Sequence, residues 1–278
     1  MVKKLTKQKP NLFIVGSPKC GSTLLTSELG KNKDVYAPKI KELNYFSKES
    51  LEVFNSYYKT FITKNIMSYE KMFDFSKNVK YFLDGSVSYF TFDDVPKKLF
   101  EYNDKSKIII CYRSPLERAI SHFKMDLRMG YTDESFESLI NHRNSFYYRQ
   151  YVDNSLFYKN SKKFVDLFGI DNVYFYSVVN NDNVSLSKFL NIDVKINTEL
   201  IVNKSQSSKN IIGAFFLKNR DITTKIKSFF PSGVLSLGKR LIYQEDDFDL
   251  DINDFGSKSL NQMVRNDWEM FNSNYINK

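Results

Sequence analysis

The sequence predicts an α/β protein, a parallel β-sheet flanked by helices in a single domain with a helical C-terminal part. Three observations carry that expectation. Short apolar runs recur at 11–16, 80–85, 107–113 and 172–177, each of strand length and rich in β-branched or aromatic residues. Helix-patterned segments lie between them, as crossovers between parallel strands require. The first run meets Gly16, and Gly21 opens the helix that follows, the strand–turn–helix order of a phosphate-binding loop.

In chain order, residues 1–10 read as a basic, flexible tail and 11–278 as one domain. Residues 11–16 are the first strand and 21–30 its helix. "VYAPKIKELNYFS" (35–47) has no period and reads as an irregular loop with an aromatic end. Residues 50–75 are aromatic-rich and expected to be helical. "KYFLDG" (80–85) is a second strand. "DDVPKKLFEYN" (93–103) offers an aspartate cap followed by Pro96, a helix start. "KIIICYR" (107–113) is the strongest strand pattern. It runs into "SPLERAISHFKMDLRMG", where Ser114 is placed to cap, Pro115 fits the first helical position, and Leu116, Ile120, Phe123 and Leu127 recur on one helical face. Residues 151–169 read as helix, 172–177 as strand and 182–190 as helix. Beyond about 203 the pattern changes to loop and then helices, ending in 259–271.

The chain has 278 residues, of which 42% are hydrophobic and 16% aromatic, ample for a core and unlike a disordered segment. A net charge of +9 suits phosphate-bearing ligands, nucleic acid or an acidic polymer, or reflects lysines spread over the surface. The two cysteines, Cys20 and Cys111, fit neither a metal site nor a disulfide framework, so a reducing compartment is expected. No signal-peptide pattern and no run of ~18 apolar residues occurs, and the expected location is cytoplasmic, in a bacterial cell.

The candidate site follows from charge. Gly16 and Gly21 keep the spacing of the nucleoside-triphosphate loop, but Ser22 stands where its lysine belongs, and Lys19 lies inside the turn instead. The backbone amides of Cys20, Gly21, Ser22, Thr23 and Leu24, with the hydroxyls of Ser22 and Thr23, are placed to hold an anion. Arg113 ends a strand, where α/β proteins gather ligand groups, and Ser121 follows two helical turns later, a natural second phosphate site. The plain alternative for Arg113 is a local ion pair with Glu117. Two such sites without an obvious magnesium-binding acid point away from ATP and toward a nucleotide with two separated phosphates.

"GSPKCGST" resembles the 5′-phosphosulfate loop of the sulfotransferases, and "YRSPLERAISHF" their 3′-phosphate-binding strand and helix. "KIKELNYFS" is similar to the K-E-x-x-F-F segment of those that modify heparan-type polysaccharides. "LDGSVSYF" and "VNKSQSSKN" (202–210) are similar to later segments of the same family. The resemblance runs over about 11–210, the nucleotide-binding core, and leaves 211–278 loosely matched. It implies 3′-phosphoadenosine 5′-phosphosulfate (PAPS) as donor, no required metal, and transfer to a hydroxyl or amine of a glycan or glycoconjugate. It puts Lys19 on the leaving phosphate, Glu42 in the role of general base in a pocket behind Tyr45 and Phe46, Lys204 on the nucleotide, Lys41 on the sulfate or the acceptor, and Ser86 near the acceptor; the plain reading of Glu42 without the resemblance is an exposed loop acid neutralised by Lys39 or Lys41. Heparan-type enzymes often carry a lysine where this chain has Gly85, which argues for a different saccharide. His122 reads as a packed helix residue, with a base role as its alternative, and His142 receives none. Nucleic acid is not an expected partner. Two rival readings stand beside this one. A P-loop kinase of small molecules would demand magnesium. A non-catalytic basic module would draw on the +9 charge and on "TKIKSFFPSGVLSLGKRLIY" (224–243), whose plain reading is a packed helix.

Overall fold

A computed structural model describes residues 8–54, 60–180, 182–197, 206–208, 243–245 and 255–277. Its main sheet has five strands, all parallel: β1 (Leu12–Gly16), β2 (Val35–Tyr36), β3 (Tyr81–Asp84), β4 (Lys107–Tyr112) and β5 (Val173–Ser177). Their order in space is β2-β3-β1-β4-β5. From β1 the chain runs to the edge strand β2, returns inward to β3 beside β1, then crosses to β4 and β5 on the other side. The strand order therefore reverses between β1 and β4, where a doubly wound sheet opens a crevice at its carboxyl edge. Every residue of β1 is buried, and Ile108–Cys111 of β4 are fully enclosed, which explains why both read as unbroken apolar runs.

The helices are α1 (Ser22–Leu29), α2 (Lys48–Val53), α3 (Ile66–Glu70), α4 (Val95–Tyr102), α5 (Pro115–Met129), α6 (Phe136–Asn141), α7 (Phe146–Tyr151), α8 (Phe157–Phe168), α9 (Asn183–Leu190) and α10 (Phe255–Phe271). The expected alternation holds through β5 and α9. Five expectations change. The stretch 35–47, read as an irregular loop, opens with Val35–Tyr36 as the edge strand β2. The single helix over 50–75 is two short helices, α2 and α3, because Asn65 takes extended backbone and caps a new helix through Ser68 N. The helix over 151–169 begins only at Phe157, after α7 and a 3-10 turn at Asp153–Ser155. Two short antiparallel strands, β6 (Gln206–Ser208) and β7 (Tyr243–Glu245), pair within the region read as loop and helices. Ser114 and Asp94 occupy cap positions, but neither side chain bonds to its helix end, and Asp94 pairs instead with Lys98 at 2.6 Å.

Helix α5 also turns another face inward. Its buried residues include Arg118, Ala119, His122, Phe123, Asp126 and Met129, while Leu116, Ile120 and Leu127 are half-buried. Leu116 and Leu127 pack at the flank of a second apolar cluster built from α5, α6, α7 and α10. The two charged members of that face are bonded: Arg118 donates to Ser155 Oγ at 2.8 Å and to the carbonyls of Gln150 and Tyr151, and Tyr151 Oη donates to Asp126 at 2.6 Å. Helix α10 closes the C-terminal part. Phe271 lies among Tyr112, Phe157, Phe175 and Trp268, and Asp267 accepts from the backbone N–H groups of Tyr158 and Lys159 in the first turn of α8.

Candidate active site

The turn between β1 and α1 lies at the sheet's switch point. Gly16 has φ +143°, and a Cβ there would sit 2.6 Å from Cβ of Phe90, so this position requires glycine. Gly21, at φ +84°, forms the N-cap of α1. The amides of Ser22, Thr23 and Leu24 occupy the first turn, where N–H groups have no acceptor within the helix. Ser17 Oγ donates to the Asn154 carbonyl at 2.8 Å and ties the turn to the segment after α7. Ser22 is buried, Thr23 exposed and Leu24 half-buried. Cys20 is enclosed, and burial pushes its thiol up to about 12, so this residue can meet an anion only through its backbone.

Lys19 has left-handed backbone, φ +66°. Its Nζ lies 3.6 Å from Met125 Sδ, and its pKa is pushed down to about 8. Burial is the main cause. Arg128, Arg118 and Arg113 push the same way, and Asp126 alone opposes them. Arg113 reaches the Lys19 carbonyl at 3.5 Å and pairs with Glu117 at 2.8 Å, so the local ion pair forms at the very mouth of the turn. Ser121 lies one turn beyond Glu117 on the same helical face, half-buried. His122 points inward against Tyr151, in edge contact at 5.7 Å, and neither ring nitrogen has a hydrogen-bond partner among the described residues. Burial, then Arg118 and Lys19, hold its pKa well below the usual histidine range, so it is neutral.

Glu42 also has left-handed backbone, φ +67°. Its Oε1 accepts from Lys41 Nζ at 2.5 Å, and its side chain is 33% exposed. Tyr45 and Phe46 do not wall a pocket for it. Tyr45 stacks on Tyr69 and Phe46 lies edge-on to Phe13, inside the core. Glu42 instead lines a small cleft open to solvent, bounded by Pro18, Glu42, Ser88, Phe92, Arg149 and Asn154 among others. Pro18 belongs to the glycine-bounded turn, so the turn and the cleft are contiguous.

The loop carrying Glu42 is held from beneath by a polar network that sequence reading missed. Asp84, at the end of β3, accepts from Ser86 Oγ at 2.6 Å, Tyr89 Oη at 2.9 Å and Tyr69 Oη at 3.0 Å. Ser86 Oγ accepts from Asn44 N, and Asn44 Nδ2 donates to the Glu42 carbonyl at 3.0 Å. Burial pushes Asp84 up to about 6, against the three hydrogen bonds. Ser86 is fully enclosed, its hydroxyl engaged with Asp84 and Asn44. An aspartate closing an apolar strand was the available signal for this network. At Gly85 a Cβ would lie 2.6 Å from Thr26 Oγ1, so α1 packs where any side chain would go. Lys204 lies outside the described residues. Among the described residues no group of acidic, histidine or cysteine side chains is arranged to hold a metal ion.

A profile of the sulfotransferase domain matches residues 9–175. The human heparan sulfate glucosamine 3-O-sulfotransferase 5 is 26% identical over 208 residues, covering 69% of this chain and 56% of that protein. Its mouse counterpart is 28% identical over 139 residues, covering 49% and 37%. The membrane-associated sulfotransferase kil1 of Dictyostelium discoideum is 26% identical over 119 residues, covering 43% and 23%. The chain thus spans between a quarter and just over half the length of these curated relatives. The solved sulfotransferase of Alicyclobacillus acidocaldarius shares the fold with a TM-score of 0.58 and 23% identity, over 78% of this chain and 96% of that one. With the matched region covering well over half of the sequence and beginning just before the glycine-bounded turn, the chain belongs to the sulfotransferase domain family.

Proposed function

We propose that this protein is a PAPS-dependent sulfotransferase that acts on a hydroxyl or amine of a saccharide. One observation carries the reading. Lys19 is half-buried in the field of Arg128, Arg118 and Arg113, against which stand only Asp126 and the Glu117 that pairs with Arg113, an excess of positive charge at the turn that a multiply charged anion would offset. A nucleotide with two separated phosphates fits that need at two points. The turn amides from Cys20 to Leu24, with Lys19, would hold the 5′-phosphosulfate, and Arg113 and Ser121 the 3′-phosphate. When bound, PAPS supplies the sulfuryl group.

Each residue has a definite task in an in-line transfer, where positioning and charge stabilisation provide most of the catalysis. The Glu42 carboxylate takes the proton of the attacking hydroxyl, an assistance worth ~10²–10⁴-fold. The Lys19 ammonium faces the negative charge that grows on the departing phosphate oxygen. Lys41, paired with Glu42, lies at the acceptor side. Support for a sugar acceptor comes from the heparan sulfate relatives named above. The proposed location is cytoplasmic, and among the described residues no helix is long and apolar enough to cross a membrane.

A thermal-shift titration with 3′,5′-adenosine bisphosphate, against ATP with magnesium, tests the donor class. At one hundred times its Kd the bisphosphate adds about 2.7 kcal/mol, roughly 5 °C for a chain of this size. A shift with ATP alone transfers the turn to a kinase, and no shift with either removes the nucleotide site.

A further inference from the structure

Among the described residues, the cleft beside Glu42 is lined by one cation that the proposed donor site does not use. Arg149, on α7, lies with its guanidinium carbon 3.8 Å from the ring centre of Phe54 and 4.7 Å from that of Phe92. Its Nε is buried without a hydrogen-bond partner, and no carboxylate among the described residues lies within salt-bridge distance of it. The nearby Asp93 is taken by Lys163 at 2.5 Å. Arginine held flat on aromatic faces keeps its N–H edges available, the geometry in which it receives a planar or tetrahedral oxyanion. The backbone around it is fixed. Asn154 Nδ2 donates to the Arg149 carbonyl at 3.2 Å, and the Asn154 carbonyl accepts from Ser17 of the glycine-bounded turn. Arg149 is therefore set relative to the turn through two hydrogen bonds, while Glu42 lines the same cleft.

We infer that Arg149 is the acceptor-anchoring residue of this cleft, and that the acceptor carries an anionic group, a carboxylate or a sulfate ester, beside the hydroxyl presented to Glu42. This rests on the sulfotransferase reading for the reaction, but the anion site is a property of the cleft itself. A half-buried guanidinium, on which Asp153 and Asp93 act only from beyond salt-bridge distance, gains a charge-assisted pair on binding, which neutral saccharides cannot provide. Anchoring the anion at Arg149 also selects which hydroxyl of the sugar faces the base.

The test uses the full chain saturated with 3′,5′-adenosine bisphosphate and calorimetric titration of three tetrasaccharides. One bears glucuronate, one is the same molecule with its carboxyls reduced to alcohols, and one is neutral but carries a single O-sulfate. The expected result is at least one anionic probe bound about tenfold or more tighter than the reduced one. Which of the two it is distinguishes carboxylate from sulfate. Arg149→Met, which keeps bulk against Phe54 and Phe92, removes the preference, and Arg149→Lys retains part of it. Bisphosphate affinity stays unchanged in both variants and reports that the fold is intact. Equal binding of anionic and reduced probes, no binding of either anionic probe, or a preference that survives Arg149→Met overturns the inference. Failure of the wild-type protein to bind the bisphosphate overturns the donor assignment instead, and the two failures are read separately.

Discussion

At the scale of single residues, Lys19 and Glu42 share a mark that their identities do not reveal. Both are non-glycine residues in the left-handed region, where side chains other than those of asparagine and aspartate are rarely placed. The turn and the loop carrying Glu42 thus hold both side chains in conformations that cost about 1 kcal/mol or more. Replacing Glu42 by glycine is expected to give a protein more stable than Glu42→Ala by about 1 kcal/mol, with turnover lost in both; urea denaturation beside a sulfuryl-transfer assay checks this. Lys19 carries a pH signature. With its pKa near 8, the ammonium is present below that pH and lost above it. Affinity for the bisphosphate is therefore flat below pH 8 and falls between 8 and 9.5, with proton uptake on binding seen as a buffer-dependent heat. Lys19→Arg flattens the profile, and Lys19→Ala weakens binding about ten- to a hundredfold at pH 7. A wild-type pH dependence that persists in Lys19→Ala would assign it to another group. Asp84 titrates in the opposite sense. Its pKa is raised from 3.8 to about 6, so between those values the folded protein holds a proton that the unfolded chain releases. Stability from this group is present at low pH and falls as pH rises through that window. Asp84→Asn removes that share of the slope, as urea midpoints at pH 4.5 and 7 in both proteins would report.

At the scale of elements, the seam between β3 and α1 decides the identity of Gly85. The missing side chain leaves room for Thr26, whose Oγ1 donates back to the Ser22 carbonyl at 2.7 Å. Gly85→Ala is expected to cost about 1–3 kcal/mol by overpacking. Adding Thr26→Ala removes the Oγ1 and should recover most of that loss, a strong non-additivity. If the double variant is as unstable as the sum of the singles, the contact is not the cause. The absent lysine at 85 thus has a packing reason in this chain, whatever it says of the acceptor. The same scale explains what could be read beforehand. Strands β1, β4 and β5 and helices α5 and α9 were legible because one or both faces are buried and the apolar pattern follows. The turn and Arg113 were legible because glycines and strand ends have local signatures. Helices α6 and α7 were not, being six residues each with caps from Ser135 and Ser145 and no complete apolar stripe. The inward face of α5 was misjudged because Arg118 and Asp126 look like surface residues until Ser155 and Tyr151 arrive from distant sequence to bond them. Arg149 escaped for the same reason: its aromatic partners, Phe54 and Phe92, lie more than fifty positions away.

At the scale of the whole molecule, the C-terminal helix joins the crevice at the sheet's switch point through an aromatic seam. Phe271 is fully buried and touches Tyr112, the residue immediately before Arg113. It also packs on Phe157 at the start of α8 and on Phe175 of β5, while Asp267 of the same helix caps α8. A helix from the far end of the chain therefore fixes the strand end that presents Arg113. Phe271→Ala should remove about 3–5 kcal/mol of stability, the usual cost of emptying a buried phenylalanine site. A loss of that size alone would say nothing about the crevice, so the informative comparison is Phe164→Ala. Phe164, on α8, is equally enclosed but, among the described residues, makes no ring contact with Tyr112 of the kind Phe271 makes. The two variants should lose similar stability, yet only Phe271→Ala should weaken bisphosphate binding at a temperature where both remain folded, because Tyr112 then relaxes into the vacated space and takes Arg113 with it. Equal affinity in the two variants would reduce α10 to a stabilising cover. Selective loss in Phe271→Ala would make it part of the machinery that holds the donor, and would explain why a helix beyond the matched region is packed so tightly against the sheet.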